Sequence, residues 1–136
     1  MKLRYTRIIT DNVASLAHFY EDITGFSPQG NDDYVELKTP MATLAICSKR
    51  TVDLHNAGAG IPAANRSAIL EFEVDDVDEE KKRIQHTVTE FVLEPTDQPW
   101  GNRSMLFRDP DGNLINFFAP INRESAAPVF EKTEVR

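Results

Sequence analysis

Cysteine is nearly absent: Cys47 is the only one in 136 residues, so no disulfide can close within the chain. There is no uninterrupted apolar run approaching the about 18 residues that a membrane-spanning helix needs. The start, Met1-Lys2-Leu3-Arg4-Tyr5-Thr6, lacks the apolar stretch and small-residue cleavage site of a secretory signal. Together these absences set the expectation of a cytoplasmic protein with no membrane partner. Positive charge is also short: 15 basic residues stand against 22 acidic ones, for a net charge of −7. That balance argues against nucleic acid as a partner and favours cationic or neutral ligands. What remains is ordinary for a folded domain, with 40% apolar and 27% charged residues, which excludes wholesale disorder. The length fits one domain or two small modules.

Residues 3 to 10 are rich in β-branched and aromatic side chains and read as a strand. Asn12 then stands as an N-cap, Val13, Leu16, Ala17, Tyr20 and Ile23 recur at helical steps, and Gly25 closes the helix. Tyr34 to Lys38 and Thr43 to Cys47 read as strands across the short connection Thr39-Pro40-Met41, with a further short strand near Phe26 to Gln29. The pattern then restarts. Ala68 to Val74 is a strand, and Asp76 caps a helix over residues 77 to 86, where Asp78 and Lys82, and Glu79 and Arg83, are spaced for i,i+4 pairing. Val88 to Leu93, Arg103 to Arg108 and Leu114 to Phe118 read as strands, the last two joined by the turn Asp109-Pro110-Asp111-Gly112.

The two halves match. Ile8, Thr10, Asp11, Asn12 and Val13 fall on Phe72, Val74, Asp75, Asp76 and Val77 at an offset of 64, and Pro40, Leu44 and Ile46 fall on Pro110, Leu114 and Asn116 at 70. The expectation is an α+β protein of two βαβββ modules forming a curled mixed sheet around a cleft. The first module covers residues 1 to 47, a linker 48 to 66, the second module 67 to 119 and a C-terminal tail 120 to 136. For the tail, a frayed end and a strand-like arm over Val129 to Val135 both remain open.

Three segments carry a resemblance. They are Asp11-Asn12-Val13-Ala14-Ser15-Leu16-Ala17-His18-Phe19-Tyr20 running to Gly25-Phe26, then Phe72-Glu73-Val74-Asp75-Asp76-Val77-Asp78, and then Pro99-Trp100-Gly101 with Arg108-Asp109-Pro110-Asp111-Gly112-Asn113-Leu114-Ile115. In this order they resemble the vicinal oxygen chelate superfamily, which holds glyoxalase I, the bleomycin resistance proteins and the extradiol dioxygenases. The resemblance implies the two-module fold, a homodimer, and a choice among many activities. In metal-dependent members it implies ligands at positions that fall on Tyr5, Ile69 and Asn116. Ile69 has no donor atom, neutral Tyr5 is a poor one and Asn116 offers only a carbonyl oxygen, so neither a metal nor another cofactor is expected. His18, His55 and His86 lie on helices or the linker and do not replace the set, although His55 could swing inward.

Strand alternation places Tyr5 with Arg7 and Ile9, Ile69 with Glu71 and Glu73, and Leu114 with Asn116 and Phe118. These faces carry the candidate ligand-binding residues Tyr5, Arg7, Ile69, Glu71, Glu73, Asn116 and Phe118, joined by Trp100 from the loop-to-strand entry Gln98-Pro99-Trp100-Gly101-Asn102-Arg103. Two readings of Glu71 and Glu73 stand side by side. Either Arg7 pairs with them, or they hold a small cationic ligand with Trp100, Phe107 or Phe118 stacked against it. Trp100 could equally be a lid over the core, and the Trp-Gly of the resistance proteins beside their drug cleft favours ligand contact. Arg103 is expected to answer the acidic surface, Cys47 to be a buried small hydrophobe, and Asp109 and Asp111 to serve turn chemistry.

The function expected is small-molecule binding, of the kind a bleomycin-resistance-like sequestering or sensing protein performs. The rival is a lyase, isomerase or dioxygenase using a metal displaced to Glu36, Glu71, Glu73 or His55, or metal-free acid–base chemistry. A structural module with a filled cleft is a third reading.

Overall fold

A computed structural model describes residues 1–121. The expected alternatives for the tail from residue 122 onward lie outside the described residues. The described residues divide into two compact units, residues 1–67 with 109–113, and residues 68–108 with 114–121.

The first unit runs β1 (Tyr5–Thr10), α1 (Val13–Thr24), β2 (Gln29–Gly30), β3 (Tyr34–Lys38), β4 (Thr43–Ser48) and α2 (Lys49–His55). Its sheet has the order β1-β4-β3-β2, with β1 and β4 parallel and the other pairs antiparallel. The α1 ends are as the residue types require: Asn12 Oδ1 accepts from Ser15 N at 3.0 Å, and Gly25 takes φ +78°. All five periodic positions are buried, with Tyr20 and Ile23 fully enclosed. They pack on β3 and β4, whose inward side chains are Val35, Leu37, Leu44 and Ile46. The helix therefore covers one face of the sheet and leaves the alternate residues on the other.

The second unit runs β5 (Ile69–Glu73), α3 (Val77–Ile84), β6 (Leu93–Asp97), β7 (Asn102–Arg108) and β8 (Leu114–Pro120), in sheet order β5-β8-β7-β6. Asp76 caps α3 through Glu79 N at 3.1 Å. The helix buries Val77 and Ile84 and packs on β6, β7 and β8. A run of edge-to-face rings, Phe72–Phe117–Phe107–Phe91, with centroids 5.8, 5.1 and 6.1 Å apart, fills this core. Both units thus have the βαβββ order of the expected α+β fold, each with its own open four-stranded mixed sheet.

Several local expectations need correction. The residues expected to form a linker hold α2, capped by Ser48, whose side chain accepts from Thr51 N at 3.1 Å. The strand expected over Val88 to Leu93 lies instead at Leu93–Asp97. Thr87 and Val88 donate to Ile84 O and finish the helix, and Phe91 is drawn into the ring cluster. The true strand contains Pro95, tolerated because β6 is an edge and its register shifts between Leu93 and Thr96. On α3, ion pairs form three residues apart, Glu79 with Lys82 and Glu80 with Arg83, while Asp78 turns to Arg103. The offset of 70 is also one short. Tyr5 faces Thr43 and Ile69 faces Leu114, so Thr43 and not Leu44 is the counterpart of Leu114. Leu44 accordingly points to the core and Leu114 to the open face.

Candidate functional site

In the second unit the alternation holds along β5 and β8. Ile69, Glu71 and Glu73 are exposed while Leu70 and Phe72 are half-buried, and Leu114, Asn116 and Phe118 are half-buried while Ile115 and Phe117 are buried. The register aligns Glu71 with Asn116 and Leu106, and Glu73 with Phe118 and Ser104. Hence two carboxylates at the sheet edge adjoin an amide, a phenyl ring and an aliphatic side chain on one face. Asn116 Nδ2 donates to Glu71 Oε1 at 3.0 Å, which orients both groups. The other amide atom, Asn116 Oδ1, is buried without a hydrogen-bond partner among the described residues.

Phe107 is not available for stacking. It is fully buried on the opposite face with Met105, because it pairs with Ile115 and packs on Phe117. Trp100 lies 43% exposed on the turn between β6 and β7, where Gly101 takes φ +99°. The next residue, Asn102, pairs with Pro120, which places Trp100 at the Phe118 end of the sheet. Arg103 is engaged by Asp78 at 2.7 Å and Asp97 at 2.9 Å, and Asp78 is thereby held below the usual carboxylate range.

Tyr5 and Arg7 belong to the first unit. Arg7 Nη2 donates to Asn56 Oδ1 at 2.9 Å, a partner supplied by the segment that sequence reading left as linker. Arg7, Ala45 and Glu36 form one cross-strand row. Tyr5, Arg7, Tyr34 and Ala45 line a cavity of about 190 Å³. Sequence reading missed Tyr34, Ala45 and Asn56 here; the one signal was a small residue between Leu44 and Ile46. Cys47 is fully buried, and burial pushes its thiol up, so it is poorly suited to nucleophilic work.

Asp109 also has a role beyond the turn. Its Oδ1 accepts from Asp111 N and Asn113 N, both at 2.9 Å. Its Oδ2 accepts from Asn113 Nδ2 at 2.8 Å and from the buried Tyr20 hydroxyl at 2.7 Å. Burial and then the Asp109 charge raise the Tyr20 phenol far above its ordinary range. This is a structural carboxylate with its lone pairs taken.

The residues do not fit the divalent metal that the fold family implies. Ile69 offers only hydrocarbon, and among the described residues no group of three or more His, Cys, Asp or Glu is placed to hold an ion. Glu36 accepts from Tyr34 Oη at 2.8 Å, and His55 is exposed at the end of α2.

Among the described residues, no helix is long and apolar enough to cross a membrane. No curated protein matches the sequence. Solved structures do. A glyoxalase/bleomycin resistance protein/dioxygenase from Nocardioides aligns with a TM-score of 0.76 at 17% identity, covering 94% of this chain and 89% of that one. A family enzyme of the same description from Burkholderia phytofirmans PsJN gives 0.76 at 17%, covering 88% and 99%. A lactoylglutathione lyase from Agrobacterium tumefaciens gives 0.68 at 23%, covering 87% and 92%. At such identities the likeness shows the fold alone. The family model matches residues 2–117, and on that match the chain belongs to the Glyoxalase/Bleomycin resistance protein/Dioxygenase superfamily.

Proposed function

We propose that the open sheet face of the second unit binds a small organic cation with an aromatic or apolar part, and that the protein sequesters or senses this molecule without a family-type metal site. The observation that carries the reading is the Glu71–Asn116 pair, a carboxylate oriented by an amide whose buried Oδ1 is unpartnered. Glu73 stands two residues along on the same side, so a cation between the carboxylates relieves their repulsion. Phe118 and Leu106 offer apolar ground beside them, and Trp100 a second ring surface. The rival, an isomerase, lyase or dioxygenase with a displaced metal, draws on the neighbour named lactoylglutathione lyase.

The test is calorimetric titration with benzyltrimethylammonium, beside metal analysis after incubation with Zn, Ni, Mn and Fe(II) and desalting. Each carboxylate contributes about 0.5–1 kcal/mol at such an exposed site, so Glu71→Gln with Glu73→Gln should weaken the cation about tenfold. Equal affinity in the double variant would sink the proposal. Near-stoichiometric retention of one metal would replace it with the enzymatic reading.

A further inference from the structure

The first unit carries a socket of its own lining, built by the sheet register. Ala45 lies between Arg7 on β1 and Glu36 on β3, with Tyr5 opposite Thr43 and Tyr34 opposite Cys47 in the flanking rows. A methyl group among long neighbours leaves a hollow, here about 190 Å³. We propose that this socket binds a single-ring aromatic carboxylate, its ring over Ala45 between Tyr5 and Tyr34 and its carboxylate on the Arg7 guanidinium.

Size, charge and orientation each narrow the ligand. A cavity of about 150 Å³ holds benzene, so the hollow seats one ring and a second ring would stay outside it. Arg7 is the only charged residue of the four that line the cavity. The bond to Asn56 uses one of the five N–H donors of a guanidinium and leaves enough for a two-point grip on a carboxylate. The nearby Glu36 is already answered, by the Tyr34 hydroxyl at 2.8 Å and by Lys38 Nζ at 3.9 Å. That same bond fixes the Tyr34 ring, and the phenol stays neutral, so the wall adds no negative charge. Ala45 is 1% exposed and forms the floor, while Tyr5 is 49% exposed and can adjust as the outer wall.

The experiment is titration of the full chain with benzoate and acetate, followed by calorimetry or ligand-observed NMR. Benzoate should bind with a Kd of about 1 mM, modest because the site is small and open. Acetate, which keeps the charge without the ring, should bind at least about tenfold more weakly. Arg7→Gln should weaken benzoate about tenfold, and Ala45→Leu, which fills the socket, should abolish binding. Arg7→Gln alters a solvent-exposed side chain, so it reads the site even where Ala45→Leu perturbs folding. Benzoate affinity unchanged in Arg7→Gln, equal affinity for acetate, or no detectable benzoate binding would each overturn the proposal. The Glu71→Gln, Glu73→Gln chain should bind benzoate normally, so failure here and failure of the cation site are read separately.

Discussion

On the open face of the first unit Tyr34 donates its hydroxyl to Glu36 Oε2 at 2.8 Å. Burial, and then the carboxylate that accepts its hydrogen bond, push the phenol up to about 12. A pKa raised on folding stabilises the protein fully below the unfolded value of about 10 and loses that contribution as the pH rises through about 12. The ultraviolet titration of Tyr34→Phe should therefore lack an ionisation step near 12, and Glu36→Gln should move the step down toward the ordinary phenol value. A step near 12 that persists in Tyr34→Phe would assign the shift to another group. None of this is visible in the string Tyr34-Val35-Glu36, where alternation shows only that the two side chains share a face. The bond needs the two rotamers, which neighbouring strands select.

At the level of the elements, glycines separate backbone constraint from side-chain packing. Gly30 ends β2 at φ +149°, and a Cβ there would sit 2.0 Å from Tyr34 O and 2.8 Å from Val35 Cα, both backbone atoms that cannot move without opening the hairpin. Gly60 is as crowded by distance, 1.9 Å from Ile9 Cδ1, but that atom is the flexible end of a side chain. Gly30→Ala should accordingly cost about 2–4 kcal/mol in urea unfolding and Gly60→Ala about 1 kcal/mol or less. The reverse order would place the constraint in the wrong segment. Legibility follows the same division. Long periodic elements with caps, such as α1 with Asn12 and Gly25, are readable because local chemistry and packing agree. The seven-residue α2 buries only Val52, so no apolar stripe announces it. The second unit's open face was readable because alternation alone puts Glu71, Glu73, Asn116 and Phe118 outward. The Ala45 socket was not, since it exists only once three strands are in register.

For the whole chain, the internal repeat proposes a division near residues 48 to 66, yet the turn at residues 109–113 groups with the first unit while β7 and β8 belong to the second. The physical tie is the Asp109 carboxylate, which accepts the Tyr20 hydroxyl across 89 positions of sequence. Tyr20 is 0% exposed, and a buried hydroxyl without an acceptor costs about 1–3 kcal/mol. This makes one substitution change sign with context. In the full chain, Tyr20→Phe deletes a made hydrogen bond and should destabilise by about 1 kcal/mol, read from the urea midpoint. In a fragment of residues 1 to 67, Asp109 is gone and the hydroxyl is stranded, so the same substitution removes a cost and should raise the helical circular dichroism signal and its resistance to urea. A shift in the same direction in both chains would mean that Tyr20 finds another acceptor, and that a cut at the repeat boundary yields a self-sufficient module. Opposite shifts would show that the first βαβββ unit is completed by a turn encoded more than forty residues beyond its own last strand.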